Sequence, residues 1–120
     1  MRRKAGSLVP LELAICTAAA DLRRQGTDEF HGYLIAKQIK EHADTRLLTA
    51  YGTLYRALAR LLESGLIAEL DERPDPAHDD ERRRYYQLTE RGIAVARAEA
   101  QRLESQLSAA RSRRLLGVRA

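Results

Sequence analysis

The hydrophobic period of this chain changes at Gly65. Upstream, apolar residues recur three and four positions apart, which is the repeat of one helix face. Downstream, "LIAELDER" and "RRRYYQL" are short runs compatible with strands, separated by "PDPAHDDE". Two prolines and a run of acids make that connector a loop. Helical periodicity then resumes after Thr89. The expected fold is mainly α with a small β-hairpin, and 120 residues supply one modest core.

The first helix is expected from Pro10 to about Arg24. Proline suits a first turn, Arg23 and Arg24 suit the negative end, and Gly26 can stop it. Leu8, Leu11, Ile15, Ala18 and Leu22 form one stripe, and "CTAAA" keeps side chains small enough for a close helix contact. Cys16 reads as a packed thiol. "GTDEFH" is a turn with room for a short extended piece at Glu29–His31. A second helix follows from Gly32 to His42, with Leu34, Ile35 and Ile39 inward and Lys37, Lys40 and Glu41 outward. Thr49 is a good N-cap for a third helix and Gly65 a good stop. Thr89 caps the last helix, expected from Glu90 to about Leu116. Along it Ile93, Ala96, Ala100, Leu103, Leu107 and Ala110 make a heptad seam that needs a partner surface.

Charge is segregated. Residues 63–81 hold eight acids and one base, whereas residues 82–120 hold ten bases and three acids, so the net +4 conceals two opposed regions. A polyanion partner for the basic parts fits this pattern, and so does a solvated surface. Charges interrupt every apolar run, Glu12 among them, so neither a membrane span nor a signal peptide is expected. One cysteine permits no intramolecular disulfide, and a cytoplasmic protein is expected. Cys16, His31, His42 and His78 form no metal-ligand set, and no cofactor is expected. Carboxylates are plentiful but fall in no catalytic motif, and no phosphate-binding glycine loop occurs, so an enzyme is not expected.

The stretch "LTAYGTLYRALARLLESGLI" carries the functional signal. At about 100° per residue, Leu47, Leu54, Leu58, Leu61 and Leu62 share one side of the third helix. Thr49, Thr53, Arg56 and Arg60 fall nearly opposite. Tyr51 and Tyr55 lie toward the apolar half, with Tyr51 early enough to reach past the helix start. Arginine forks to guanine edges or phosphates, and threonine can hydrogen-bond or pack its methyl on thymine. Gly52 removes a side chain where the helix end would approach a sugar-phosphate backbone. Three helices followed by a hairpin is a common arrangement for docking on double-stranded DNA. It also serves in protein adaptors, which would use the acidic tip or the third helix and ignore base sequence.

"HGYLIAKQI", "YGTLYRALARLLESGLI" and "RRRYYQLTERG" occur in this order over residues 31–92. Together they resemble the PadR family of bacterial transcriptional regulators, the middle motif most specifically through Gly52, Thr53, Leu54, Tyr55, Leu58, Leu61, Gly65 and Leu66. Tyr86, Leu88, Thr89 and Gly92 match the end of the wing and the start of the last helix. The resemblance implies a winged helix-turn-helix over residues 1–89 and a C-terminal dimerisation helix over 90–120, packed on the same domain. It further implies a homodimer that represses genes at an inverted-repeat operator and is often released by a small effector. Dimer contacts from the first and last helices would involve Leu11, Ile15, Ala100, Leu103 and Leu107.

Three positions depart from the family pattern. Arg56 stands where proline is frequent, which adds a cation to the polar face. The wing tip carries Asp75, Asp79, Asp80 and Glu81, and carboxylates repel phosphates. Phosphate contacts are therefore expected from the returning strand, at Arg83 first and Arg84 second. The last helix has no aromatic residue, so it cannot build a stacking pocket, and no residue is assigned to an effector.

Overall fold

The computed structural model describes residues 8–42, 51–70 and 84–116. Along them run α1 (Pro10–Arg24), β1 (Glu29–His31), α2 (Gly32–His42), α3 (Tyr51–Glu63), β2 (Ile67–Glu69), β3 (Tyr85–Leu88) and α4 (Glu90–Ser112). Thr49, Arg83, Leu47 and the acidic wing tip lie outside the described residues, as does the side chain of Tyr51.

Three helix ends use one device. Gly26 (φ 96°) follows α1, with Thr27 N–H donating to Leu22 O and Gly26 N–H to Arg23 O. Gly65 (φ 76°) repeats this after α3, where Leu66 N–H reaches Leu61 O and Gly65 N–H reaches Leu62 O. This paired-bond cap satisfies the last carbonyls and turns the chain sharply. The end of α4 is made the same way by Arg114 (φ 62°), with Leu115 N–H on Ala110 O and Arg114 N–H on Arg111 O. The helix thus stops at Ser112 and not near Leu116, because a non-glycine residue has taken the left-handed position.

The sheet is larger than a hairpin. β3 is its central strand, flanked by β2 and by β1, all antiparallel. The short piece at Glu29–His31 is therefore a true edge strand, with Phe30 opposite Tyr86. Alternation along β3 buries Tyr86 and Leu88, and the Phe30 and Tyr86 rings pack 5.8 Å apart. Thr89 then ties the start of α4 to this sheet. Its N–H donates to Leu66 O, its hydroxyl contacts Gly65 O and Leu66 O, and its oxygen accepts from Gly92 N–H.

The core joins all these elements. Ile15 and Cys16 from α1, Phe30 from β1, Ile35 and Ile39 from α2, Leu54, Leu58 and Leu61 from α3, and Ile67 from β2 are its largest fully buried side chains. Burial, helped by the nearby Glu12 charge, pushes the Cys16 thiol from 9.0 up to about 12. Raising a folded-state pKa favours the protonated form, so this contribution to stability is full below pH 9.0 and fades as pH rises through about 12. At pH 8 an aromatic disulfide reagent is expected to label native Cys16 at least about 100-fold more slowly than the denatured chain. Equal rates would mean that α1 opens freely.

Candidate nucleic-acid interface

α3 is two-faced. Leu54, Ala57, Leu58 and Leu61 are at most 1% exposed, and they anchor the helix in the core. Across the axis, Gly52 and Arg56 are exposed, Thr53 is half-buried and Ala59 is exposed. Arg56 Nη2 donates to Thr53 Oγ1 at 3.3 Å, so the guanidinium lies along the first two turns. Leucines thus hold the back of a helix whose front is small, polar and cationic.

Gly52 has no internal reason to be glycine. A Cβ built there would meet only the flexible end of Arg56, at 3.4 Å, and its φ is not in the left-handed region. Nothing in the described fold crowds this turn from outside. A bare turn beside an exposed arginine lets a second molecule's backbone come close.

The other expected contact residues separate. Arg60 does not stand free, because its Nε donates to Glu12 Oε2 on α1 at 3.0 Å, and the Glu12 side chain is only 3% exposed. Its Nε thus joins α3 to α1, while the Arg60 side chain is 42% exposed. Arg84 is well exposed just before β3 and forms a surface pair with Glu69 of β2 at 3.6 Å. Exposed pairs of this kind contribute about 0–1 kcal/mol, so Arg84 can leave Glu69 for a phosphate at small cost.

Tyr55, placed toward the apolar half by its helical angle, is instead 53% exposed. Its ring lies over Gly32 at the start of α2, where an added Cβ would sit 3.1 Å from the ring edge and hydroxyl. Next to it, His31 Nδ1 accepts the Leu34 N–H at 3.3 Å and so caps α2. The His31 ring meets Tyr85 edge-on at 5.5 Å and stacks on Tyr33, which is 58% exposed. These aromatics were not among the expected contacts. The only sequence signal for them is "HGY", whose glycine makes room for Tyr55.

The seam on α4 divides in two. Ile93 and Ala96 pack on the core, whereas Leu103 and Leu107 remain 40% and 42% exposed and Ala100 is exposed. A groove of about 860 Å³ runs between α1 and α4, lined by Leu8, Leu13, Ala14, Ala96, Ala100 and Leu103 among others. Leu11 and Ile15 point the other way. At 7% and 0% exposure they are used up in their own core and have no surface left for a second chain. The stripe containing them is the inner face of α1, and Leu13 and Ala14 are on its outer side. At the groove mouth Glu99 is 5% exposed, and the Arg102 guanidinium bonded to it holds its carboxyl below the usual value of 4.5.

Comparison with known proteins identifies the family and the fold. The model of the transcriptional regulator PadR-like family matches residues 22–98. A PadR family transcription regulator from Clostridium difficile R20291 is 24% identical, with a TM-score of 0.65 over 85% of this chain and 95% of that one. A transcriptional regulator from Clostridium thermocellum, also 24% identical, gives 0.66 over 85% and 87%. A zinc-responsive MarR family member from Lactococcus lactis is more distant, at 24% identity and 0.54 over 88% of this chain and 60% of that one. No curated protein matches the chain. Among the described residues no group of three His, Cys, Asp or Glu side chains could hold a metal ion, and no helix is long and apolar enough to cross a membrane.

Proposed function

Because the chain belongs to the PadR-like family of transcriptional regulators, we propose that it is a homodimeric repressor that reads an inverted-repeat operator with α3. The observation that carries this reading is the Gly52–Thr53–Arg56 face, with Gly52 and Arg56 exposed and Thr53 half-buried, backed by leucines at most 1% exposed. Thr53 and Arg56 read base edges from the major groove, together with Thr49 and Tyr51 ahead of them. Arg84 and Arg83, on the approach to β3, take phosphates. Arg60 serves the reading indirectly, through Glu12, and is not counted among the contacts. Leu103, Leu107 and Ala100 supply the dimer contact. Release by a small effector, which family kinship implies, is assigned to no residue.

Fluorescence anisotropy against a labelled operator duplex tests this at several salt concentrations. The logarithm of the binding constant is expected to fall with the logarithm of salt concentration, by about 0.9 for each phosphate neutralised. Arg56→Ala is expected to weaken specific binding by about 1–3 kcal/mol. A flat salt response, or unchanged affinity in Arg56→Ala, contradicts the assignment. Equal binding of operator and random duplex would favour a protein adaptor.

A further inference from the structure

Glu12 is an ordinary residue for a helix first turn, where a carboxylate caps the backbone, but an unusual one to bury. It is 2% exposed, inside an otherwise apolar stripe, and both carboxylate oxygens are engaged. Oε1 accepts the Val9 N–H at 2.9 Å, which caps the start of α1. Oε2 accepts Arg60 Nε at 3.0 Å, from the last turn of α3. A charged group is desolvated here although a methionine or leucine would fill the same space, a cost offset only by well-placed partners.

Such partners also impose a direction, here on α3. Its apolar contacts with α1 and α2 resist separation but tolerate small rotations, since dispersion has little angular preference. A charge-assisted hydrogen bond does have one. Placed at the end of α3 opposite its reading turns, the Glu12–Arg60 bond fixes how the helix lies against α1.

A second buried carboxylate reaches from α4 to the residues that lead into α1. Glu99 Oε2 accepts the Leu8 N–H at 3.5 Å, while its other oxygen accepts Arg102. Leu8 and Val9, consecutive residues, are thus each met by a buried carboxylate. One leads to α4, which bears the proposed dimer face, and the other leads to α3.

We propose that Glu12 is a positioning residue for operator recognition: acting through Arg60, it sets the angle of α3 on the α1–α4 frame and so the half-site spacing that the dimer accepts. This rests on the operator-binding reading above. In a two-fold dimer the two α3 helices must meet successive major-groove faces about 34–36 Å apart. An angular error at each helix is doubled across the dimer axis. Affinity for one half-site depends on contacts within one α3 and is insensitive to it.

The test uses full-length protein and duplexes carrying the selected half-sites at the preferred spacing and at one and two base pairs more or fewer, with a single half-site as control. Wild type is expected to prefer its own spacing by at least about tenfold, in keeping with helices held to one register. Glu12→Gln keeps the size and the Val9 cap but removes the charge facing Arg60. It is expected to reduce the preference to about threefold or less, with single half-site affinity within about twofold of wild type. Arg60→Lys retains both charges and cannot reproduce the Nε geometry, so an intermediate preference is expected. If the two residues act as one unit, the double variant is no worse than Glu12→Gln alone. Should Glu12→Gln fail to fold, Arg60→Lys decides by itself. An unchanged spacing preference in the folded variants, or a loss of half-site affinity equal to the loss at the full site, overturns the proposal and leaves operator binding intact. Wild type that binds no duplex overturns both.

Discussion

Gly92→Ala is expected to cost at least about 3 kcal/mol, the upper range for overpacking a closed site. A Cβ on Gly92 would fall on the Leu66 carbonyl oxygen and lie 2.7 Å from Leu88 Cδ1. Neither neighbour can retreat. Leu66 O accepts the Thr89 N–H and hydroxyl, Leu88 is in the central strand, and the Gly92 N–H is itself bound to Thr89 Oγ1. The site is where β2, β3 and the first turn of α4 converge, so relief must move a whole element. Thermal unfolding followed by circular dichroism should register a fall of roughly 10 °C or more. Gly32→Ala is the control. The nearest atoms to its Cβ would be those of the exposed Tyr55 ring, which can swing into solvent, and alanine favours the helix, so a change below about 1 kcal/mol is expected. Similar losses at both glycines would mean that the junction is less tightly packed than its hydrogen bonds indicate.

Leu103→Asp combined with Leu107→Asp is expected to abolish the dimer while leaving the protomer folded. Both side chains are at least 40% exposed and neither belongs to the core cluster, although Leu103 lines the α1–α4 groove, so their loss opens no cavity in the core. Two aspartates cost about 1 kcal/mol together in helix propensity. At a paired interface the effect is far larger, because four apolar side chains are lost, each contributing about 1–2 kcal/mol, and four carboxylates must be desolvated against one another. Sedimentation should give monomers. Affinity for a duplex with two half-sites should fall at least about 100-fold, toward that of one half-site, as the second contact ceases to be intramolecular. A variant that still sediments as a dimer places the interface elsewhere.

How much of this was legible beforehand depends on how local each signal is. The bounds of α1 and the stop of α3 follow from proline at a first turn and glycine after a last turn. Each of these acts within a few residues. The stop of α4 was not legible, because Arg114 adopts the left-handed conformation that favours glycine and the nearest glycine is Gly117. β1 has three residues, too few for a period, and exists as a strand only through pairing with β3 more than fifty positions away. Helical angles placed Arg60 on the polar arc of α3, correctly as an angle. They could not show that a carboxylate from α1, 48 residues earlier, would meet it there. Glu12 itself read only as a charge interrupting an apolar stretch. The same limit applies to Leu11 and Ile15, whose stripe was evident although its partner was not: it faces the protein's own core. On α3 the exposed position of Arg56 was legible, because it follows from the leucines behind it, whereas Thr53 beside it is half-buried. The aromatic group around His31 was not, since it is assembled from α2, α3 and β3.

The central claim is that the front of α3 reads a base sequence, and selection of bound duplexes from a random pool tests it most directly. Enrichment of one inverted repeat is expected, with half-sites about one helical turn apart, and Arg56→Ala should fail to enrich it. A bound fraction whose sequences match the starting pool would contradict the account.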